Sequence, residues 1–496
     1  LQDRSVRLLL TRVTRADYGS RAEDWQRWQG EHRRRRQGLA PRPPRREAVS
    51  LELLWQAPVG LTGWFSTILP IDGQIYIASL GVEFDSPKDA ADGVVRVDGT
   101  TGASEPLFNP EPERRGPSDV IGLAAAGGDG LFVACYNGFV YAIDRAGRPR
   151  WSAPAHAGDP IVGPPLACNV DRDGTVDVLV PTRSGKVIAL SGRRHGSLWV
   201  TPIARPPAGA SLLGATLTLV QLRRTKDPAV MATLPTGETA LLNIRNGQVL
   251  WRHNFTAGSL AGAISMGAEE DQPAAARSAG QFPALFLGDR AGCIWGLVES
   301  RQLLDAVAWE SVAVRADETL IAAPRTLSLP RLAAPFVLIC PTGDYAAGLG
   351  AVCALSADGV YWRYPVDGAV WGTPAVADLN GDGSPEIVVT SIEMTPEQRR
   401  IGMLTVLSAS GFPVQRVALE APVECSPVVA DVNGDSKLEV LVADQGGVLH
   451  CFATGRYAPV QWGMLGGDSH GTRNAANAYS YAQRFLGDQW QWEPDR

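Results

Sequence analysis

The chain is expected to be all-β, a β-propeller of about eight four-stranded blades. Three observations predict this. From residue 48 onward, short β-rich runs recur between turns of Gly, Asp and Pro. The runs repeat with a period near 50 residues, marked by Trp151, Trp199 and Trp251, which stand 48 and 52 residues apart. Four strands in a unit of that length are the signature of a propeller blade. The 496 residues also hold 53 Gly and 36 Pro, a turn-rich balance with only 20% charged residues.

Eight copies of the unit can be traced. The first spans 74–102, and the clearest is GLFVACYNGFVYAIDRAGRPRW, ending at Trp151. Two more end at Trp199 and Trp251, and others lie at 284–298, 336–362, 386–411 and 438–455. A lone four-stranded sheet cannot bury both faces, but radial packing against neighbours buries them. The recurrent Trp is expected to be a wedge between blades, because its ring buries a large apolar area. Seven blades remain open as an alternative, since pairing of the stretch 48–58 to close the ring cannot be read from the sequence.

Before the ring, residues 1–30 are expected to be helical. Val6, Leu8, Leu9 and Leu10 cluster, and Trp25 and Trp28 share a helical face. Residues 31–47 form a basic linker rich in Pro and Arg, with Arg33, Arg34, Arg35 and Arg36 as candidate contacts to an acidic partner or anionic surface. Residues 1–47 carry 13 Arg against six acids, a net +7, so the rest of the chain carries −13 of the overall −6. An acidic body of this kind does not suit nucleic acid. The propeller is expected over 48–465 and a C-terminal arm over 466–496, read as leaving the ring. Tyr479, Tyr481, Phe485, Trp490 and Trp492 make the arm aromatic, and Trp490 and Trp492 are candidate partner contacts.

Three loops carry the main chemical signal. They are NVDRDGTVD, with Asn169, Asp171, Asp173 and Asp177; DLNGDGSPE, with Asp378, Asn380, Asp382 and Glu386; and DVNGDSKLE, with Asp431, Asn433, Asp435 and Glu439. Side-chain oxygens fall at positions 1, 3, 5 and 9, and a β run follows. Hard oxygens alternating along a tight turn suit calcium, and Gly at position 6 allows the bend. Gly174 and Gly383 meet that need, whereas Ser436 in the third loop is expected to strain it. Up to three structural calcium ions are expected, each clipping the first hairpin of a blade.

The blade copies resemble those of pyrroloquinoline-quinone-type propellers, whose blades end in an Ala-x-Asp-x-x-Thr-Gly-x-x-x-Trp-like docking motif. RVDGTTGASEPLF (96–108), AIDRAGRPRW (142–151) and NIRNGQVLW (243–251) are partial matches. The three loops, with the preceding WGTPAVAD and CSPVVAD, resemble FG-GAP repeats of integrin-α-like propellers. VTRADYGSRAEDWQRW resembles the closing segment of bacterial HEAT-like repeats, with Arg15 where Gly is usual.

No catalytic set is legible. The six His lack zinc-pair spacing, and no G-x-S-x-G elbow or phosphate loop occurs. The seven Cys form no CxxC pair and are expected to be core thiols, with Cys340 and Cys353 the best pair if one exists. No run of 18 apolar residues occurs, so no transmembrane helix is expected. Leu1 implies a processed or truncated chain, with a signal peptide already removed. The expected function is a non-enzymatic scaffold, periplasmic or secreted, that joins other protein subunits. The alternatives are a quinone-dependent oxidoreductase, which the resemblance implies, and an adhesin or glycan-binding propeller.

Overall fold

The computed structural model of the chain describes residues 49–473 apart from 83, 85–91, 111–117, 208, 223–224, 226, 256–260, 266–284, 290, 312–318, 321–324, 329–335, 345–348, 357–358, 457–459, 469 and 472. The expected helix over 1–30, the linker with Arg33–Arg36, and the tail with Trp490 and Trp492 lie outside the described residues. Strands and turns account for the regular structure of the described residues, with no helix among them.

The strands form eight antiparallel sheets, which are eight blades. Blades 1 to 7 occupy 68–108, 120–156, 166–202, 216–254, 261–311, 319–366 and 375–419. Blade 8 takes Val428–Ala430, Glu439–Ala443 and Val448–Ala453, and its outer strand is Glu52–Pro58 from the other end of the chain. The register runs from Glu52↔Ala453 to Pro58↔Val448. Eight blades, closed by the N-terminal strand, is therefore the outcome that the sequence left open against seven.

Burial follows position in the blade. Second strands such as Ala229–Thr233 and Glu439–Ala443 are buried at every residue, because neighbouring blades cover both faces. Outer strands such as Val249–Asn254 and Pro413–Leu419 expose alternate or terminal residues and carry the charges. The apolar residues accordingly gather between blades. One cluster joins blades 1, 2, 7 and 8, another joins blades 3 and 4, and a third joins blades 4 and 5.

The recurrent tryptophans are wedges between blades. Trp199 on the outer strand of blade 3 donates its indole N–H to Ile244 O of blade 4 at 2.9 Å. Its ring lies on Gly247, which has φ +69°, and a Cβ there would fall 2.6 Å from the ring. Glycine is therefore required twice over, by the left-handed backbone and by the contact. Trp151 repeats the contact from blade 2 to Gly192 O of blade 3 at 2.8 Å, stacking on His195, and Trp362 repeats it from blade 6 to Ala409 O of blade 7 at 2.9 Å. Trp55, on the ring-closing strand, docks on blade 1 through Gly99 O at 3.0 Å. The closure thus uses the same joint as the other blades.

A partly buried network reinforces that closure. His450 Nε2 lies 2.8 Å from Asp444 Oδ2, and its Nδ1 lies 2.9 Å from the Gln56 amide nitrogen on the closing strand. Cys425 and Cys451 are buried free thiols in the same cluster, and Cys425 Sγ–H donates to Ala443 O. The register sets Cys340 opposite Cys353 in blade 6; the Cys340 side chain lies outside the described residues.

Candidate functional site

The three carboxylate loops occupy equivalent places. Each joins the first strand of its blade to the second, in blades 3, 7 and 8. Position 1 follows the first strand directly, and position 9 is the first residue of the second strand, at Asp177, Glu386 and Glu439. All three loops sit on the ring face where first strands end.

Their backbones match. Positions 4 and 6 both have positive φ: Arg172 and Gly174, Gly381 and Gly383, Gly434 and Ser436. Ser436, at φ +64°, holds the strained conformation expected of it. The sequence reading named position 6 and missed position 4, although the Gly381 and Gly434 pair was visible.

The hydrogen bonds also repeat. The position 9 carboxylate accepts the position 2 N–H in every loop: Val170 to Asp177 at 2.7 Å, Leu379 to Glu386 at 2.8 Å and Val432 to Glu439 at 3.0 Å. Position 3 accepts from position 5, and position 5 accepts from position 7. In blades 7 and 8 the position 1 Asp accepts from positions 4 and 6, with Asp378 taking Gly381 and Gly383 N–H at 2.7 and 2.9 Å. These Asx-type bonds satisfy the turn from within.

The buried position 9 groups resist ionisation. Burial, with repulsion from Asp382 and Asp378, pushes Glu386 up to about 8 against its backbone hydrogen bonds. Burial likewise pushes Glu439 up to about 7, near Asp435 and Asp431, and Asp177 up to about 6, near Asp171.

The donor types fit a hard cation, but their present arrangement is closed in by hydrogen bonds. The Asn380 amide nitrogen faces Asp382 and Glu386 at 3.3 and 3.1 Å, standing between the two carboxylates. Turning this amide over would present its oxygen instead. Among the described residues, no group of three or more His, Cys, Asp or Glu is gathered to hold a metal ion. The blade 3 loop differs from the other two. Arg194 meets Asp171 at 3.1 Å, Arg193 meets Asp173 at 3.8 Å, and Arg245 donates to Val170 O at 2.7 Å. These arginines come from later turns, so local spacing gave no sign of them.

The other notable feature is on the axis. Val460–Trp462 pairs antiparallel with the first strand of blade 7, with Val376 opposite Trp462. Gly463 O then accepts the Val429 N–H of blade 8 at 2.8 Å, and His470 O accepts the Ala167 N–H of blade 3 at 2.9 Å. Blades 3 and 7 face each other across an eight-membered ring. The described residues of 460–473 therefore run along the axis and cross from blade 7 to blade 3, with Met464, Leu465, Asp468 and Arg473 buried. The stretch read from sequence as the start of an outgoing arm lies inside the ring. Near the leading ends of the first strands, Trp64 ahead of blade 1 reaches Gly214 ahead of blade 4 and stacks with Trp371 ahead of blade 7, centroids 6.4 Å apart.

Eight four-stranded blades locked by tryptophan docking define a propeller of PQQ-like repeats. More specifically, residues 90–282 match the sequence model of a family described as outer membrane protein assembly factor BamB. No curated protein matches the chain. Among solved structures, BamB from Moraxella catarrhalis superposes with a TM-score of 0.52 at 14% identity, covering 82% of this chain and 100% of that one. Sqt1 of Saccharomyces cerevisiae gives 0.55 at 11% identity, covering 82% and 99%. Quinohemoprotein alcohol dehydrogenase from Comamonas testosteroni gives 0.53 at 14%, covering 88% and 82%. At such identities the likeness shows the fold alone, and a fold does not choose between assembly and catalysis.

Proposed function

We propose that this protein is a non-catalytic interaction subunit of a larger extracytoplasmic assembly. The observation that carries the reading is the axial segment. The described residues of 460–473 pair with first strands of blades 7, 8 and 3, on the axis where a quinone-type ring enzyme would need room for its cofactor. The match of 90–282 to a family described as an outer membrane protein assembly factor supports the same reading, and with it a periplasmic or membrane-associated location. Among the described residues, no helix is long and apolar enough to cross a membrane. Arg33–Arg36 and the aromatic Trp490 and Trp492 are the proposed contacts at the two ends of the chain.

Calcium at the loops is part of the proposal. In blades 7 and 8 the ion would be held by Asp378, Asn380, Asp382 and Glu386, and by Asp431, Asn433, Asp435 and Glu439. There it would neutralise carboxylates that burial and mutual repulsion disfavour. The blade 3 loop, with Asn169, Asp171, Asp173 and Asp177, would be the weakest site, since Arg193 and Arg194 already meet its charge.

The test is the native mass of the gently extracted protein in calcium buffer. A particle well above 52.9 kDa with reproducible companion chains is expected. A free monomer that turns over an alcohol in a dye-linked assay with added quinone and calcium would overturn the reading in favour of the dehydrogenase. A free monomer that binds on a glycan array would favour the adhesin.

A further inference from the structure

The described course of the axial segment ends in a compact loop. Gly467 N–H donates to Met464 O at 3.0 Å, Gly471 N–H to Asp468 O at 3.1 Å, and Arg473 N–H back to Gly466 O at 2.9 Å. Arg473 itself holds a left-handed backbone, at φ +52°. The loop lies against blade 3 where its first strand begins: a Cβ on Gly471 would stand 2.8 Å from Pro165 O.

Arg473 is 5% exposed. In its own loop, Asp468 Oδ1 accepts the His470 N–H at 2.9 Å. Among the described residues the guanidinium has no ion-pair or hydrogen-bond partner. Burial alone pulls its pKa down to about 10, with no acid holding it up, so the group stays charged at neutral pH. A buried, uncompensated cation is costly, and a protein that keeps one has a counter-charge for it.

We propose that the mouth of the axis, at the leading ends of the first strands, binds a small oxyanion, a carboxylate or a phosphate, on the guanidinium of Arg473. The planar fork of a guanidinium suits two oxygens of such a group at once. The narrow exposure of Arg473 limits the occupant to a small acid or to the acidic tip of a larger ligand. This site lies on the ring face opposite the carboxylate loops and does not depend on calcium.

The test is thermal unfolding of the full chain in chloride buffer of fixed ionic strength, titrated with sodium acetate or sodium phosphate. One of the two is expected to raise the wild-type melting temperature saturably, by on the order of 2–4 °C. A response to acetate identifies a carboxylate ligand, and one to phosphate a phosphate. Arg473→Met should abolish the rise. In chloride alone it should melt no lower than the wild type, because it removes an uncompensated charge. Arg473→Lys should keep the rise with a midpoint at least about tenfold higher, lacking the fork. The proposal is overturned if neither anion shifts the wild type, or if Arg473→Met responds like it. It is also overturned if Arg473→Met melts well below the wild type in chloride, which would mean that the guanidinium already has a partner within the chain. Should that variant not fold, titration calorimetry of the wild type decides, and absence of saturable heat with both anions sinks the proposal.

Discussion

The docking joint at the ring closure can be broken at one atom. Gly102 has φ +72°, and a Cβ there would stand 2.7 Å from the Trp55 ring. Alanine at this site costs about 1–2 kcal/mol for the left-handed backbone. It costs a further ~1–3 kcal/mol because the indole must shift in a packed joint. Gly158 is the matched control, with φ +75° and nothing within 4 Å of its Cβ position, so Gly158→Ala carries only the backbone cost. Urea unfolding followed by tryptophan fluorescence compares the two. Gly102→Ala should lose about 2–5 kcal/mol against about 1–2 for the control. In a Trp55→Ala background the excess should vanish, because the clash has lost its partner. Equal losses for the two glycines, or an excess that survives removal of Trp55, would refute the account of the closure.

Other outcomes follow from the same structure. Calcium removal by chelator should lower the melting temperature, each ion at a hundredfold excess over its dissociation constant being worth about 2.7 kcal/mol; an unchanged melting curve with no co-purifying metal would exclude the ions. Ending the chain before Val460 strips the axis of Met464 and Leu465 and leaves inner-strand N–H groups of blades 3 and 8 without acceptors, so it should cost the fold several-fold more than ending it after Arg473. Burial acts to raise the Asp144 pKa, but the Arg148 N–H and guanidinium and the Ala146 N–H outweigh it and hold the group below its usual 3.8. A depressed carboxylate gives stability that is present above pH 4 and lost as the pH falls through its folded value, so Asp144→Asn should flatten the acid limb of a stability–pH curve. His450→Ala should cost about 1–3 kcal/mol in urea unfolding by leaving buried Asp444 without its imidazole partner.

The blades were legible because their signals are local. Period, turn glycines and the tryptophan of each unit lie within some 50 residues of one another. The docking role of Trp151 and Trp199 followed from their spacing, whereas Trp55 escaped notice because its blade is assembled from both ends of the chain. The loop residues at positions 1, 3, 5 and 9 do share a turn in all three blades, and the spacing was enough to group them. What spacing could not convey was the company they keep: Arg193 and Arg194 reach the blade 3 loop from a turn some 20 residues later. The axial segment was the larger omission. GMLGGDSH has a turn signal in Gly466-Gly467 but no strand alternation, and its pairing partners, Val429 and Ala167, belong to blades far apart in sequence.

Closure by the first strand also sets a timetable for synthesis. Gln56 meets His450 across 394 residues of intervening chain. At 5–20 residues per second, about 20–80 s separate the emergence of the two. Throughout that interval Glu52–Pro58 has no sheet to join, while Leu53 and Leu54, half-exposed even in the finished ring, stand on an open edge. Blades 1 to 7 can stack in order as they appear, but the circle is completed only by the last blade and the axial segment that follows it. The nascent protein is thus a growing arc with one sticky end, and a chaperone that shields residues 52–58 would act at the point of greatest hazard.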